Sequence, residues 1–264
     1  MPDIQQTPKR VVMLVPGKGG TGKSLFTRLL YYAIRQAGVN AIGFDSDSEN
    51  PEFGSYHKAK KHDVYCVDLL TKLGAIKMME TLEKKQPDVA VIDMPAASSQ
   101  QTRNRLETLN LLDLSEDKLL PYRFTLVCVL DTGLPAVRSF HQAMEDYGDR
   151  ADYVAVENRF WVDEEEQGSG FEIWESSESH QLFQSLNGIG ISMPTLDRLT
   201  FKYLHPETNF FEADKIASIG HRLITQSFLR RGVAQLNYAA AYFGLPAEQK
   251  SEAQSAVSAT GAAQ

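Results

Sequence analysis

Eight consecutive residues hold the clearest chemistry in this sequence: Gly17-Lys18-Gly19-Gly20-Thr21-Gly22-Lys23-Ser24. They satisfy every fixed position of the template G-x-x-x-x-G-K-[ST]. The glycines let the backbone curl until successive N–H groups point into one concavity, and the helix N-terminus that follows adds partial positive charge. That combination binds phosphate. Lys23 has the reach to contact β- and γ-phosphates, the Ser24 hydroxyl is a ligand for Mg²⁺, and the main chain of Gly19, Gly20, Gly22 and Leu25 completes the cradle. A second anchor is Asp93, which ends the apolar run Val89-Ala90-Val91-Ile92. Ligands gather at the carboxyl ends of parallel strands, so an acidic residue there is placed to hold Mg²⁺ directly or through water. Asp45 and Asp47 stand two residues apart where the preceding strand delivers them to a loop beside the phosphates, two carboxylates available for different tasks.

These residues need elements to position them. Residues 11–15 are an apolar strand pattern, and Leu25, Phe26, Leu29 and Leu30 form an apolar helix face, giving the strand–turn–helix context the loop requires. The first helix runs to about Gln36, with Gly38 as its stop. Residues 39–44 form a strand that delivers Asp45 and Asp47. A short strand at 64–70 leads into a helix over 71–85, and 87–93 is the buried strand carrying Asp93. A helix over 97–112 exposes Arg103 and Arg105. Strands at 123–130 and 152–157 end at Asp131 and at Asn158-Arg159, with a helix over 134–147 between them. An acidic loop at 163–166 precedes a helix at 177–186 and a strand at 189–193, followed by Pro194 and Thr195. Residues 213–243 read as mostly helical, broken near Gly232. Strands alternating with helices predict an α/β fold: a mostly parallel, twisted sheet with helices on both faces. The expected organisation is a polar segment 1–10, one domain 11–244, and an Ala/Ser/Gln-rich disordered tail 245–264.

Composition narrows the classes. The chain has 264 residues, 42% of them hydrophobic, enough for one large domain. Cys66 and Cys128 are its only cysteines and no C-x-x-C occurs, which argues against a disulfide framework or a cysteine-held metal and fits a reducing cytosol. The polar N-terminus shows no secretory signal, and no apolar stretch is long enough to span a bilayer. The net charge of −7 offers no globally basic surface to nucleic acid. Residues 57–63, HKAKKHD, read as a solvated basic run, with His57 and His62 lacking companion metal ligands.

The loop resembles that of the ParA/MinD-type deviant-Walker ATPases, which reads K-G-G-x-G-K-[ST] and is matched by residues 18–24. The closest likeness is to short ParA-like partition and positioning ATPases. The resemblance implies that Lys18 crosses a dimer interface to contact the partner's nucleotide. It implies that Asp45 supports Mg²⁺ through water and that Asp47 orients the attacking water. It makes Asn158 the adenine-reading amide, with Arg159, Pro194 and Thr195 as further nucleotide contacts. The chain departs from the family's switch patterns at Ser48-Glu49 and at Met94-Pro95-Ala96.

The implied activity is hydrolysis of ATP with Mg²⁺, slow and stimulated by a partner protein, in an ATP-dependent homodimer that partitions plasmid DNA or positions another cargo. Lys215, Arg222, Arg230 and Arg231 are candidates for a non-specific DNA patch, or else scattered solubilising charge. A second reading is an assembly or regulatory ATPase acting on a conjugation or secretion complex without DNA. A third is a synthetase that phosphorylates a carboxylate, for which no substrate pocket is visible in the sequence. No membrane-binding amphipathic helix is expected in the tail.

Overall fold

A computed structural model describes residues 8–15, 17–57, 62–112, 121–163, 165 and 168–246. Among them, seven strands form one sheet: β1 (Lys9–Leu14), β2 (Ala41–Asp45), β3 (Val64–Cys66), β4 (Val89–Asp93), β5 (Tyr122–Leu130), β6 (Asp152–Asn158) and β7 (Ile189–Met193). Their spatial order is β3-β2-β4-β1-β5-β6-β7 and every pairing is parallel. The longer helices are α1 (Lys23–Gln36), α2 (Glu52–His57), α3 (Lys72–Lys85), α4 (Ser99–Thr108), α5 (Leu134–Tyr147), α6 (Glu178–Ser185) and α7 (Ile219–Tyr238).

The continuous apolar runs of the strands follow from burial on both faces, as parallel sheets require. Val12, Leu14, Val91, Val127 and Val156 face a core closed by α1, α2 and α7, while Val11, Met13, Ile92, Leu126 and Ala155 face α3, α4 and α5. The expected fold class therefore holds. Element ends follow local chemistry: the Thr71 and Ser177 hydroxyls accept from the N–H of Gly74 and His180, capping α3 and α6.

Three expectations are corrected. The fourth helix starts only at Ser99, because Ala97 is in the left-handed region at φ 55°. On it, Arg103 pairs with Asp146 at 2.6 Å and Arg105 donates to the Leu70 carbonyl at 2.9 Å, so neither is the freely exposed charge expected. The expected helix over 213–243 begins instead at Ile219, after a 3₁₀ segment Phe210–Lys215, and it runs through Gly232 without a break. A Cβ on Gly232 would lie 2.7 and 2.9 Å from the Leu29 methyls, so this glycine lets α7 approach α1. The basic run at 57–63 is not all solvated: His57 is 2% exposed among the rings of Tyr31, Phe53 and Tyr56. Residues 58–61, two of the acidic-loop residues (164 and 166), 1–7 and the tail from 247 lie outside the described residues; Leu245 is buried.

Candidate functional site

The glycine-rich loop lies between β1 and α1. Gly22 caps the helix at φ 102°, no side chain caps it, and no acidic residue sits in its first turn. The N–H groups of that turn are therefore left for a ligand. Gly22 is required twice over: by its positive φ, and because a Cβ would meet Asn158 Nδ2 at 2.6 Å and Met193 Cε at 3.2 Å. Lys23 is buried, and its ammonium donates to the Lys18 carbonyl at 3.0 Å. Burial lowers its pKa, against the charges of Asp93, Cys128 and Asp47.

Two neighbouring strands bring carboxylates to the same edge. β2 and β4 pair with Asp45 opposite Asp93, and the Ser46 N–H donates to the Asp93 carbonyl at 2.9 Å. Asp93 is 3% exposed and its Oδ1 has no hydrogen-bond partner. Burial pushes its carboxyl up to about 7, with Asp45 adding to the shift, against the hydroxyls of Ser24 and Thr27 and the charge of Lys23. A buried carboxylate with one oxygen unpartnered, beside a serine hydroxyl, is a donor set that a Mg²⁺ ion can complete. Asp45 is also buried, which raises its pKa, but its oxygens accept from the N–H of Asp47 at 3.0 Å and Gly54 at 2.7 Å. Asp47 accepts from Glu49 and Asn50 and faces the cleft.

A cleft of about 620 Å³ opens over the loop. Of the expected site residues, Gly19, Gly20, Gly22, Lys23, Ser24, Leu25, Asp47, Asp93 and Asn158 line it. Gly17 and Thr21 are not among the lining residues: the Gly17 carbonyl accepts from the Ala97 N–H at 2.9 Å, and the Thr21 carbonyl accepts from Asn158 Nδ2 at 2.8 Å. Asn158 also accepts from the Phe160 N–H. Asp45 is buried and not among the lining residues. Arg159 turns to Glu157 at 2.9 Å and to the Ser169 carbonyl, and Pro194 and Thr195 are not among the lining residues; Leu196, Arg198, Phe201 and Lys202 are. Lys18 is half exposed, and its ammonium pairs with the buried Asp131 at 2.9 Å.

Sequence reasoning did not assign Asp131, Phe160, Trp161, Arg198 or Phe201 to the site. Asp131 could have been found by its position, since it ends a strand at the same sheet edge as Asp45 and Asp93. The aromatic residues carry no local signal. The expected basic patch is thinned: Lys215 pairs with Glu212, and Arg222 donates to the Ile216 carbonyl at 3.0 Å, while Arg230 and Arg231 are exposed.

No family model matches the chain. Protein MobD of Acidithiobacillus ferrooxidans is 23% identical over 215 residues, covering 81% of this chain and 90% of that protein. The septum site-determining protein MinD of Pyrococcus horikoshii, solved with Mg-ADP, superposes with a TM-score of 0.52 at 14% identity, over 89% of this chain and 98% of that one. The MinD cell division protein of Aquifex aeolicus gives 0.49 at 13%, over 84% and 97%. The fold is that of the MinD proteins. Among the described residues, no helix is long and apolar enough to cross a membrane.

Proposed function

We propose that this chain, built on the fold of the MinD proteins, is a nucleotide-dependent switch that binds and hydrolyses ATP with Mg²⁺ and dimerises when ATP is bound. The observation that carries the reading is Asp93 Oδ1, buried and unpartnered beside Ser24 and Lys23 at the floor of the cleft. Ser24 and Asp93 would hold Mg²⁺, with Asp45 fixing the loop behind them. The ion supplies charge neutralisation to the phosphates when bound. The N–H groups from Gly19 to Leu25 and the Lys23 ammonium hold the β- and γ-phosphates. Asp47 orients a water for in-line attack, and positioning and neutralisation do the rest. Asn158 stands beside the loop to contact the base. Lys18 is the group proposed to reach the partner's nucleotide; to do so it leaves Asp131. Hydrolysis would be slow alone, raised by a partner protein, and would act as the timer that releases the dimer.

The first reading of the output is cargo or DNA positioning in the cytoplasm. A second, an assembly or regulatory factor acting on a protein complex, is favoured by a specific observation. Two of the four candidate DNA-binding residues are engaged within the chain, leaving Arg230 and Arg231 on a protein of net charge −7.

Calorimetry of ATP binding with and without Mg²⁺, with mass recorded by light scattering, tests the switch. Lys23→Ala should weaken ATP by roughly ten- to a hundredfold, the worth of a charged hydrogen bond, and Lys18→Ala should bind ATP but stay monomeric. Wild-type affinity in Lys23→Ala sinks the reading. Duplex DNA binding at two salt concentrations separates the outputs, since phosphate neutralisation gives a steep salt slope.

A further inference from the structure

One wall of the cleft is aromatic, and the phosphate chemistry makes no use of it. Phe160 and Trp161 follow β6 after one intervening residue, with ring centroids 5.2 Å apart and planes at 89°. Both line the cleft. Trp161 is 39% exposed, whereas the chain's other tryptophan, Trp174, is 3% exposed in the core. The exposed indole is tethered: its Nε1 donates to the Thr21 carbonyl at 3.4 Å, the same carbonyl that accepts the Asn158 amide. The Arg198 guanidinium lies 5.5 Å from the centroid of the Phe160 ring and lines the same cleft. Inorganic phosphate gains nothing from the two rings. A ligand with a polyphosphate end and a flat π-system uses both the loop and the rings.

We propose that Trp161, braced edge-on by Phe160, is the platform on which the nucleobase stacks, and that its N–H to Thr21 ties base binding to the phosphate loop. The inference rests on the nucleotide reading of the cleft. Stacking uses a face that every base has, so Trp161 contributes affinity and leaves base identity to hydrogen-bonding groups. Asn158 retains one amide N–H and one lone pair for that purpose. Trp161 acts on the base end of the ligand, and a ligand without a base should not sense it.

The experiment compares Mg-ATP with Mg-tripolyphosphate, which has the phosphates and no base, on wild type, Trp161→Phe and Trp161→Ala. Calorimetry gives affinity, tryptophan emission reports the ring, and melting curves confirm that each variant folds. ATP should quench wild-type emission more than tripolyphosphate does. Trp161→Ala should weaken ATP roughly tenfold or more and leave tripolyphosphate within twofold, and Trp161→Phe should keep most of the ATP affinity. Equal losses for the two ligands, or no loss of ATP affinity in Trp161→Ala, overturn the platform while leaving the nucleotide reading intact. Failure of the wild type to bind either ligand overturns both.

Discussion

At the scale of single residues, Asp93 is where stability and the proposed Mg²⁺ site pull apart. Its carboxyl is desolvated and half-orphaned, which strains the ligand-free fold and suits a cation. Asp93→Asn keeps the shape and removes the charge. At pH 8 the ligand-free variant should melt higher than wild type, by roughly 2–4 °C for each kcal/mol relieved, and should lose the added stabilisation that Mg²⁺ gives with ATP. A variant that melts lower and still responds to Mg²⁺ would refute the assignment. Lys23, Ser24 and Gly22 were legible in the sequence because their roles are local: the loop, its helix and its φ requirements sit within a few residues. The clamp of Asp131 on Lys18 spans 113 positions, and the bond from Trp161 to Thr21 spans 140. No periodicity or short spacing encodes such contacts, so the glycine-rich loop of the cleft was legible in the sequence and its aromatic wall was not.

Among the elements, α7 shows how a residue type misleads when its reason is tertiary. Gly232 reads as a helix breaker, yet it is the point where α7 meets Leu29 of α1. Gly232→Ala should destabilise the protein by about 1–3 kcal/mol through overpacking, despite alanine's better helix propensity. Gly220, on the same helix with nothing within 4 Å of its would-be Cβ, is the control. Gly220→Ala should be neutral or stabilising by up to about 1 kcal/mol. Denaturant unfolding of both variants decides it, and a stabilised Gly232→Ala would show that the helices are free to separate. The strands were easier to read than this helix. Burial on both faces leaves long apolar runs ending in polar residues, whereas α7 mixes exposed Ile219 and Leu223 with buried Phe228 and Leu229, a pattern set by what packs on it.

For the molecule as a whole, His57 predicts a loss of stability in acid. Neither of its ring nitrogens has a hydrogen-bond partner, and burial, with the nearby charges of His62 and Arg28, pushes its pKa down to about 3. The unfolded chain protonates this histidine near 6.5 and the folded one does not, so in the window from about 6.5 down to 3 the unfolded state binds more protons and stability falls as pH falls. His57→Phe should remove up to about 1.4 kcal/mol per pH unit of that slope, seen as a shallower loss of stability between pH 6 and 4. Parallel curves for variant and wild type would exclude His57 as the source. The strand order has a further consequence, for synthesis. β1, near the start of the chain, lies at the centre of the sheet, and its neighbours are residues 89–92 and 122–127. A nascent chain cannot seat its first apolar strand until both flanking strands have left the ribosome. Closing such distant pairings is slow and leaves an unpaired edge exposed meanwhile. Truncations that stop short of residue 127 should therefore aggregate as they are made rather than form a smaller version of the sheet, and the full chain should refold slowly for a protein of its length.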